Sequence, residues 1–250
     1  MRAEKQLIRA AFGAAATRYD AVAELQRRIA RDLLSRTPAA HRMLDAGCGT
    51  GFGARLLRSA HAEANVFALD AAQPMCAHSG EALATCGDIE ALPFANASFD
   101  LYWSSLAWQW TTPLLAAHEA ARVLAPGGVL RVATLGPDSL RELREAFASV
   151  DSHAHVRDFD SLEHHANALN TAGFSTLYIE RVVIQAFLPD LRTILRDLRQ
   201  LGAHALGAAR RRGMLGRQAW QRLETAYEAH RSPAGLPVSY DVIYLAASKA

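Results

Sequence analysis

The sequence predicts a doubly wound α/β fold: a mostly parallel, seven-stranded sheet with helices on both faces, N-terminal helices before it and a helical cap inserted late in the chain. Three observations carry this expectation. Short apolar runs alternate with segments of helical period from Arg42 to Leu135, and such alternation implies right-handed crossovers between parallel strands. A glycine-rich turn, Gly47-Cys48-Gly49-Thr50-Gly51, stands between the first of these strands and the helix after it. About 50 residues of helical pattern separate the last two strand-like runs, far more than a connection between neighbouring strands needs.

The elements follow in order. Helical periodicity covers about 4–16 and 20–36, and Pro38 ends the second stretch. RMLDAG (42–47) reads as a buried strand, 53–60 as a helix and NVFALD (65–70) as the second strand. A short helix follows Pro74, then come ALATCGD (82–88) and FDLYWSS (99–105) as strands three and four. A helix over about 112–124 is closed by Pro126-Gly127-Gly128 before the fifth strand, VLRVATL (129–135). Helices are expected from Asp138 to Val150 and over about 161–171, the latter stopped by Gly173. STLYIERVVIQAF (175–187) and VSYDVIYLAAS (238–248) are the last strands. The expected division of this single domain is 1–40 for the N-terminal helices, 41–189 with 232–250 for the core, and 190–231 for the cap.

Composition sets bounds. Of 250 residues, 50% are hydrophobic and 21% charged, ordinary for a soluble globular chain. The three cysteines, Cys48, Cys76 and Cys86, are odd in number and lack CxxC spacing. Disulfides and a zinc site are therefore not expected, and a reducing cytoplasmic compartment is. The N-terminus has no unbroken apolar core of the signal-peptide kind, and no run approaches the roughly 20 apolar residues that span a bilayer. No nucleic-acid-binding motif stands out.

The glycine turn lies where open α/β sheets bind ligands, at the carboxyl ends of the strands. Gly49, Gly51 and Ala54 satisfy the dinucleotide pattern, and Asp70 would suit a ribose in several nucleotide ligands. Asp45 narrows the choice. A carboxylate two residues before the first glycine repels a pyrophosphate and attracts an ammonium group. S-adenosylmethionine has ribose, adenine and an ammonium group but no phosphate, so it fits better than a nicotinamide or flavin. Gly87-Asp88-Ile89 adds an acceptor for the adenine amino group and an apolar neighbour for the ring.

On LDAGCGTG, ALD, GDIEALPF, FDLYWSSLAWQW and RVLAPGG the chain resembles class I methyltransferases. On AAFGAAATRYD, ELQRRIA, SLAWQW, TLGPDSLRELREAF, VDSHAHVRDF and LRDLRQLGAHA it resembles the malonyl-acyl-carrier-protein O-methyltransferases of biotin synthesis. It departs from the expected pattern at Trp108, where a smaller apolar residue is expected. The resemblance implies a Rossmann-like class I methyltransferase fold, S-adenosyl-L-methionine as cofactor, and methylation of the free carboxylate of a malonyl group on acyl carrier protein. It also places the TRYD segment over the methyl end of the cofactor, which makes Tyr19 the candidate catalytic residue. The candidate cofactor residues are Tyr19, Asp45, Ala46, Gly47, Cys48, Gly49, Asp70, Ala71, Met75, Asp88, Ile89 and Ser104. Trp110, Arg196 and Arg199 are the candidate substrate residues, with Arg199 expected to reach the malonyl carboxylate.

A carboxylate acceptor is ionised at neutral pH, so neither a general base nor a triad is expected. His153, His155, His164 and His165 are expected on an exposed surface rather than around a metal. The cap holds nine arginines, at 192, 196, 199, 210, 211, 212, 217, 222 and 231, against four acids, a formal charge of +5 beside +2 for the whole chain. Such a field suits an acidic carrier protein. The alternatives are a methyltransferase for a quinone precursor or another carboxylic acid, a nicotinamide-dependent oxidoreductase, and a catalytically silent adenosyl-binding domain.

Overall fold

A computed structural model of the chain describes residues 2–202 and 215–250. The elements run α1 (Arg2–Ala15), α2 (Tyr19–Val22), α3 (Glu24–Ser35), β1 (Arg42–Ala46), α4 (Phe52–Ala60), β2 (Asn65–Asp70), α5 (Gln73–Ser79), β3 (Ala84–Cys86) and β4 (Phe99–Ser105). After a 3₁₀ turn at Trp108–Trp110 come α6 (Pro113–Val123), β5 (Leu124–Leu135), α7 (Arg141–Ala148), α8 (Leu162–Thr171), β6 (Phe174–Leu188), α9 (Leu191–Gln200), α10 (Arg217–Glu228) and β7 (Leu236–Lys249). The sheet order is β3-β2-β1-β4-β5-β7-β6. The first five strands pair in parallel, and β7 is antiparallel to both its neighbours.

Alternate residues of the central strands enter two separate cores, as the pleat requires. Leu44 and Ala46 of β1 join Tyr102, Leu130 and Val132 under Ala116, Ala120 and Leu169 of α6 and α8. Met43 joins Leu101, Trp103 and Ala133 under Ile29, Leu33 and Leu57 of α3 and α4. Asp45 falls on this second face. Gly53 lets α4 approach it: a Cβ there would lie 2.4 Å from the Trp103 ring and 2.7 Å from Asp45 Oδ2.

Several expected elements differ in detail. The helix expected over 20–36 breaks at buried Ala23, whose backbone leaves the helical region, so α2 is a separate short turn. The third strand keeps only three residues, because Gly87 onward turns away from the sheet edge. Pro126-Gly127-Gly128 does not precede β5 but lies inside it as an irregularity: the β4–β5 register passes from Phe99↔Leu124 to Leu101↔Val129. The four histidines are not one exposed surface. His165 is fully buried, tilted against Trp108 at 6.2 Å, and burial lowers its pKa to about 4. His155 is half-buried and stacks on Phe147 at 3.9 Å. Trp108 is itself buried in the core and donates to the Tyr102 hydroxyl at 3.1 Å, so its size is absorbed away from any ligand.

In the segment 190–231, α9 packs against α2 and β6, and α10 packs against α7. Gly202 comes against the backbone of Ala11 and Phe12 in α1, where a Cβ would be 3.2 Å away. Arg210, Arg211 and Arg212 lie outside the described residues. Among the described residues, no helix is long and apolar enough to cross a membrane.

Candidate active site

The glycine turn after β1 is pinned to the end of β2. Gly47 and Cys48 both donate their N–H groups to the Leu69 carbonyl, at 2.7 and 2.9 Å. The Asp70 carboxylate accepts from Gly49 N–H at 3.0 Å and Ala72 N–H at 2.8 Å. Gly47 has φ +87°, and a Cβ there would lie 2.2 Å from that of Ala107, so both conformation and space demand glycine.

Two joined cavities open around this turn. The first, about 740 Å³ including its mouth, is walled by Gly47, Gly49, Asp70, Ala71, Met75, Asp88, Ile89 and Trp110, and roofed by α1 through Lys5, Ile8, Arg9 and Phe12. The second, about 450 Å³, runs beneath α2 and α3 past Asp20, Gln26, Arg27, Asp45, Cys48, Thr50 and Trp103. Tyr19, Gly47, Gly49 and Ser105 belong to both, so Tyr19 stands where the two meet.

The second cavity has a lopsided polarity. Both oxygens of Asp45, Gln26 Oε1 and Trp103 Nε1 are buried without hydrogen-bond partners. Burial, and then the nearby Asp70, raise the Asp45 pKa to about 8. Unpaired buried groups of this kind are rare because each costs about 1–3 kcal/mol or more. A ligand with an ammonium group and hydrogen-bonding atoms would satisfy them. In the first cavity Asp70 is also raised, by burial, and Ile89 and Met75 offer apolar surface.

The N-terminal segment closes both cavities. Thr50 of the glycine turn donates to Asp20 at 2.7 Å, tying α2 to the loop. Phe12 meets the Trp110 ring edge-on at 5.3 Å, and the Arg157 guanidinium lies 5.4 Å from the same ring while bonding Glu4 at 2.7 Å. Lys5 bonds Asp88 at 2.8 Å and Glu90 at 2.5 Å, and Arg9 bonds Asp88 at 2.9 Å. Burial works to raise the Asp88 pKa, yet these partners hold it below the usual carboxylate range.

Most of the candidate residues converge here, and four do not. Ser104 is fully buried and donates to the Ala46 carbonyl at 2.6 Å; Ala46 is buried in the core as well. The strand alternation turns Ser104 inward and brings Ser105 to both cavities in its place. Arg196 and Arg199 are exposed and absent from both linings, because α9 turns Leu191 and Ile194 inward. Arg196 bonds its neighbour Asp197 at 3.2 Å. Arg199, expected to reach the malonyl carboxylate, thus lies outside both linings in this geometry. Gln26, Arg27, Asp20 and Ser105 were not among the candidates. ELQRR and TRYD were read as helix and family signature, and nothing local in them tells which side chains enter a cavity.

Residues 44–132 match the Methyltransf_11 family model, described as a methyltransferase domain. A malonyl-[acyl-carrier protein] O-methyltransferase of Dechloromonas aromatica (strain RCB) is 43% identical over 251 residues, 99% of this chain and 96% of that protein. One from Laribacter hongkongensis (strain HLHK9) is 42% identical over 96% of this chain and 88% of its own length. A biotin biosynthesis bifunctional protein BioHC of Cellvibrio japonicus (strain Ueda107) is 41% identical over 98% of this chain and 50% of its own. Among solved structures, a SAM-dependent methyltransferase of Thermotoga maritima shares the fold with a TM-score of 0.59, at 17% identity over 97% of this chain and all of that one. The fold is the class I methyltransferase fold, and across nearly its whole length the chain belongs to the malonyl-[acyl-carrier protein] O-methyltransferase family.

Proposed function

We propose that the chain transfers the methyl group of S-adenosylmethionine to the free carboxylate of a malonyl group carried on acyl carrier protein, giving the methyl ester that primes pimeloyl synthesis for biotin. The observation that carries this reading is the buried, unpartnered Asp45 carboxylate on the wall of a cavity continuous with the Asp70 shelf, in a chain 43% identical to a protein of that name. Asp45 and Gln26 hold the ammonium and amino-acid end, Asp70 the ribose, and Met75, Ala71 and Ile89 the adenine ring. Asp88 has three of roughly four acceptor positions occupied by Lys5, Arg9 and Glu90 N–H, which leaves room for the adenine amino group.

The bound cofactor supplies a methyl group activated by its positive sulfur. The chain's own contribution is alignment and dryness. Tyr19, at the junction of the cavities, holds the acceptor in line, and Phe12 and Trp110 keep water from the ionised nucleophile. The carboxylate is already ionised, so no base is needed, and well-oriented pairs gain up to roughly 7–11 kcal/mol from positioning. Arg196 and Arg199, exposed on α9, serve the acidic carrier surface.

Labelled methyl transfer tests the proposal. Malonyl-carrier protein should gain a methyl ester and acetyl-carrier protein none. Tyr19→Phe should keep its affinity for S-adenosylhomocysteine and lose about tenfold in turnover, of the order of one hydrogen bond. Absence of ester from the malonyl substrate, with cofactor bound, would remove the substrate assignment.

A further inference from the structure

All three cysteines of the chain, distant in sequence, gather around the end of β2, behind the Asp70–Ala71 wall of the first cavity. Cys86 ends β3 in register with Asp70 at the end of β2. Cys76 lies on α5, one turn after the Asp70–Ala71 shelf, and its thiol donates to the carbonyls of Asp70 at 3.4 Å and Thr85 at 3.5 Å. The Cys86 thiol donates to the Ala71 carbonyl at 3.7 Å. Cys48 sits in the glycine turn, buried, and the Cys76 sulfur is within hydrogen-bonding reach of both other thiols.

We infer that Cys76 and Cys86 form a peroxide-reactive dithiol, a thiol-modification site behind the Asp70–Ala71 wall of the proposed cofactor cavity. Access and position select this pair. Cys86 is exposed and Cys76 half-buried, so a small oxidant reaches both sulfurs. Cys86 ends a three-residue strand at the edge of the sheet, paired on one side with β2. Cys48 is buried in a loop held by two N–H bonds to the Leu69 carbonyl. The bond from Cys48, opposed by burial and Asp70 and aided by Cys86, holds the Cys76 thiol below its ordinary value, which favours the reactive thiolate.

The chemistry balances with hydrogen peroxide as oxidant. The Cys76 thiolate attacks one peroxide oxygen; the S–O bond forms, the O–O bond breaks and hydroxide leaves, taking up as water the proton that the thiol had released to solvent. Cys86 sulfur then attacks the Cys76 sulfenic acid. The S–S bond forms, the S–O bond breaks, and the departing hydroxyl takes the Cys86 proton as water. Two thiols and one peroxide give one disulfide and two waters. The disulfide has no S–H donor, so the Ala71 carbonyl loses its bond from Cys86, while the Asp70 carbonyl keeps the one from Gly87 N–H.

The test uses the full chain, reduced and then treated with hydrogen peroxide. Alkylation after unfolding should find only Cys48 free, and cleavage at Glu81, which lies between the pair, should leave the Cys76 and Cys86 peptides joined until dithiothreitol is added. In Cys86→Ser, dimedone should label Cys76. Oxidation should weaken S-adenosylhomocysteine binding about fivefold, the equivalent of one lost hydrogen bond, reversibly. Three alkylatable thiols after treatment, or a crosslink that uses Cys48, would overturn the pair. Unchanged affinity in the crosslinked protein would overturn its link to the cavity. The crosslink is scored without turnover, so its failure is separate from failure of the methyl-transfer reading.

Discussion

At pH 7 the Asp45 carboxyl of the empty protein holds its proton, since burial and the neighbouring Asp70 raise its pKa to about 8. The unfolded chain releases that proton near pH 4. Between those limits the folded state binds the extra proton, so Asp45 makes folding less favourable as pH rises from about 4 to 8. A ligand ammonium group reverses the preference by favouring the carboxylate. Binding of S-adenosylhomocysteine at pH 7 should therefore release a proton, visible as a buffer-dependent calorimetric heat. Asp45→Asn should abolish the release, weaken binding about 10–100-fold, as a lost charged hydrogen bond would, and flatten the pH dependence of the empty protein's stability. Equal heats in buffers of different ionisation enthalpy would contradict this. The sequence made Asp45 conspicuous by its spacing to Gly47, but its unpaired state was not legible. That depends on which face of β1 the residue takes and on Gly53, which lets α4 cover it. Ser104 and Ser105 differ by one pleat, and only the register of β4 against β1 decides which one reaches the ligand.

α1 acts as a latch on the cofactor cavity. Its roof is held by Lys5 and Arg9 on Asp88 and Glu90 at one edge and by Phe12 on Trp110 at another. It enters neither large core: its Phe12 and Ala15 join only a small cluster with Ala16, Tyr19, Ala72 and Met75. The latch is thus separable from global stability. Partly exposed ion pairs are worth about 0.2–1 kcal/mol each. Lys5→Ala with Arg9→Ala should weaken S-adenosylhomocysteine binding several-fold and speed amide exchange across residues 2–15, with little change in melting temperature. A large fall in melting temperature would show that α1 is part of the folding unit instead. The helical character of this stretch was readable from its periodicity, as were all seven strands, because period and glycine punctuation are local signals. Its contacts were not, since Lys5 and Asp88 are 83 residues apart. The short β3 and the irregularity inside β5 escaped for the related reason that sheet pairing, not composition, sets strand ends.

Across the whole molecule, positive charge is concentrated in the late helical segment. The six described arginines of 190–231, at 192, 196, 199, 217, 222 and 231, are all exposed, while the small net charge of +2 hides their concentration. Some are engaged locally: Arg192 lies over the Trp220 ring at 4.7 Å, and Arg231 bonds Glu228. Such contacts orient a side chain without cancelling the segment's field. On the proposed reading, an acidic carrier protein approaching this face would be steered before it docks, and steering acts on the encounter rate. Malonyl-pantetheine offers the same carboxylate with no acidic protein surface. Raising ionic strength should therefore lower kcat/KM for malonyl-carrier protein more steeply than for malonyl-pantetheine, since screening shortens the reach of the field to about 8 Å at 0.15 M salt. Replacing Arg199, Arg217 and Arg222 together with Glu should cost the carrier substrate about tenfold at low salt and leave the small substrate unchanged. Parallel salt curves for both substrates would place carrier recognition elsewhere, and the proposed methyl transfer would then stand without a docking role for the basic segment.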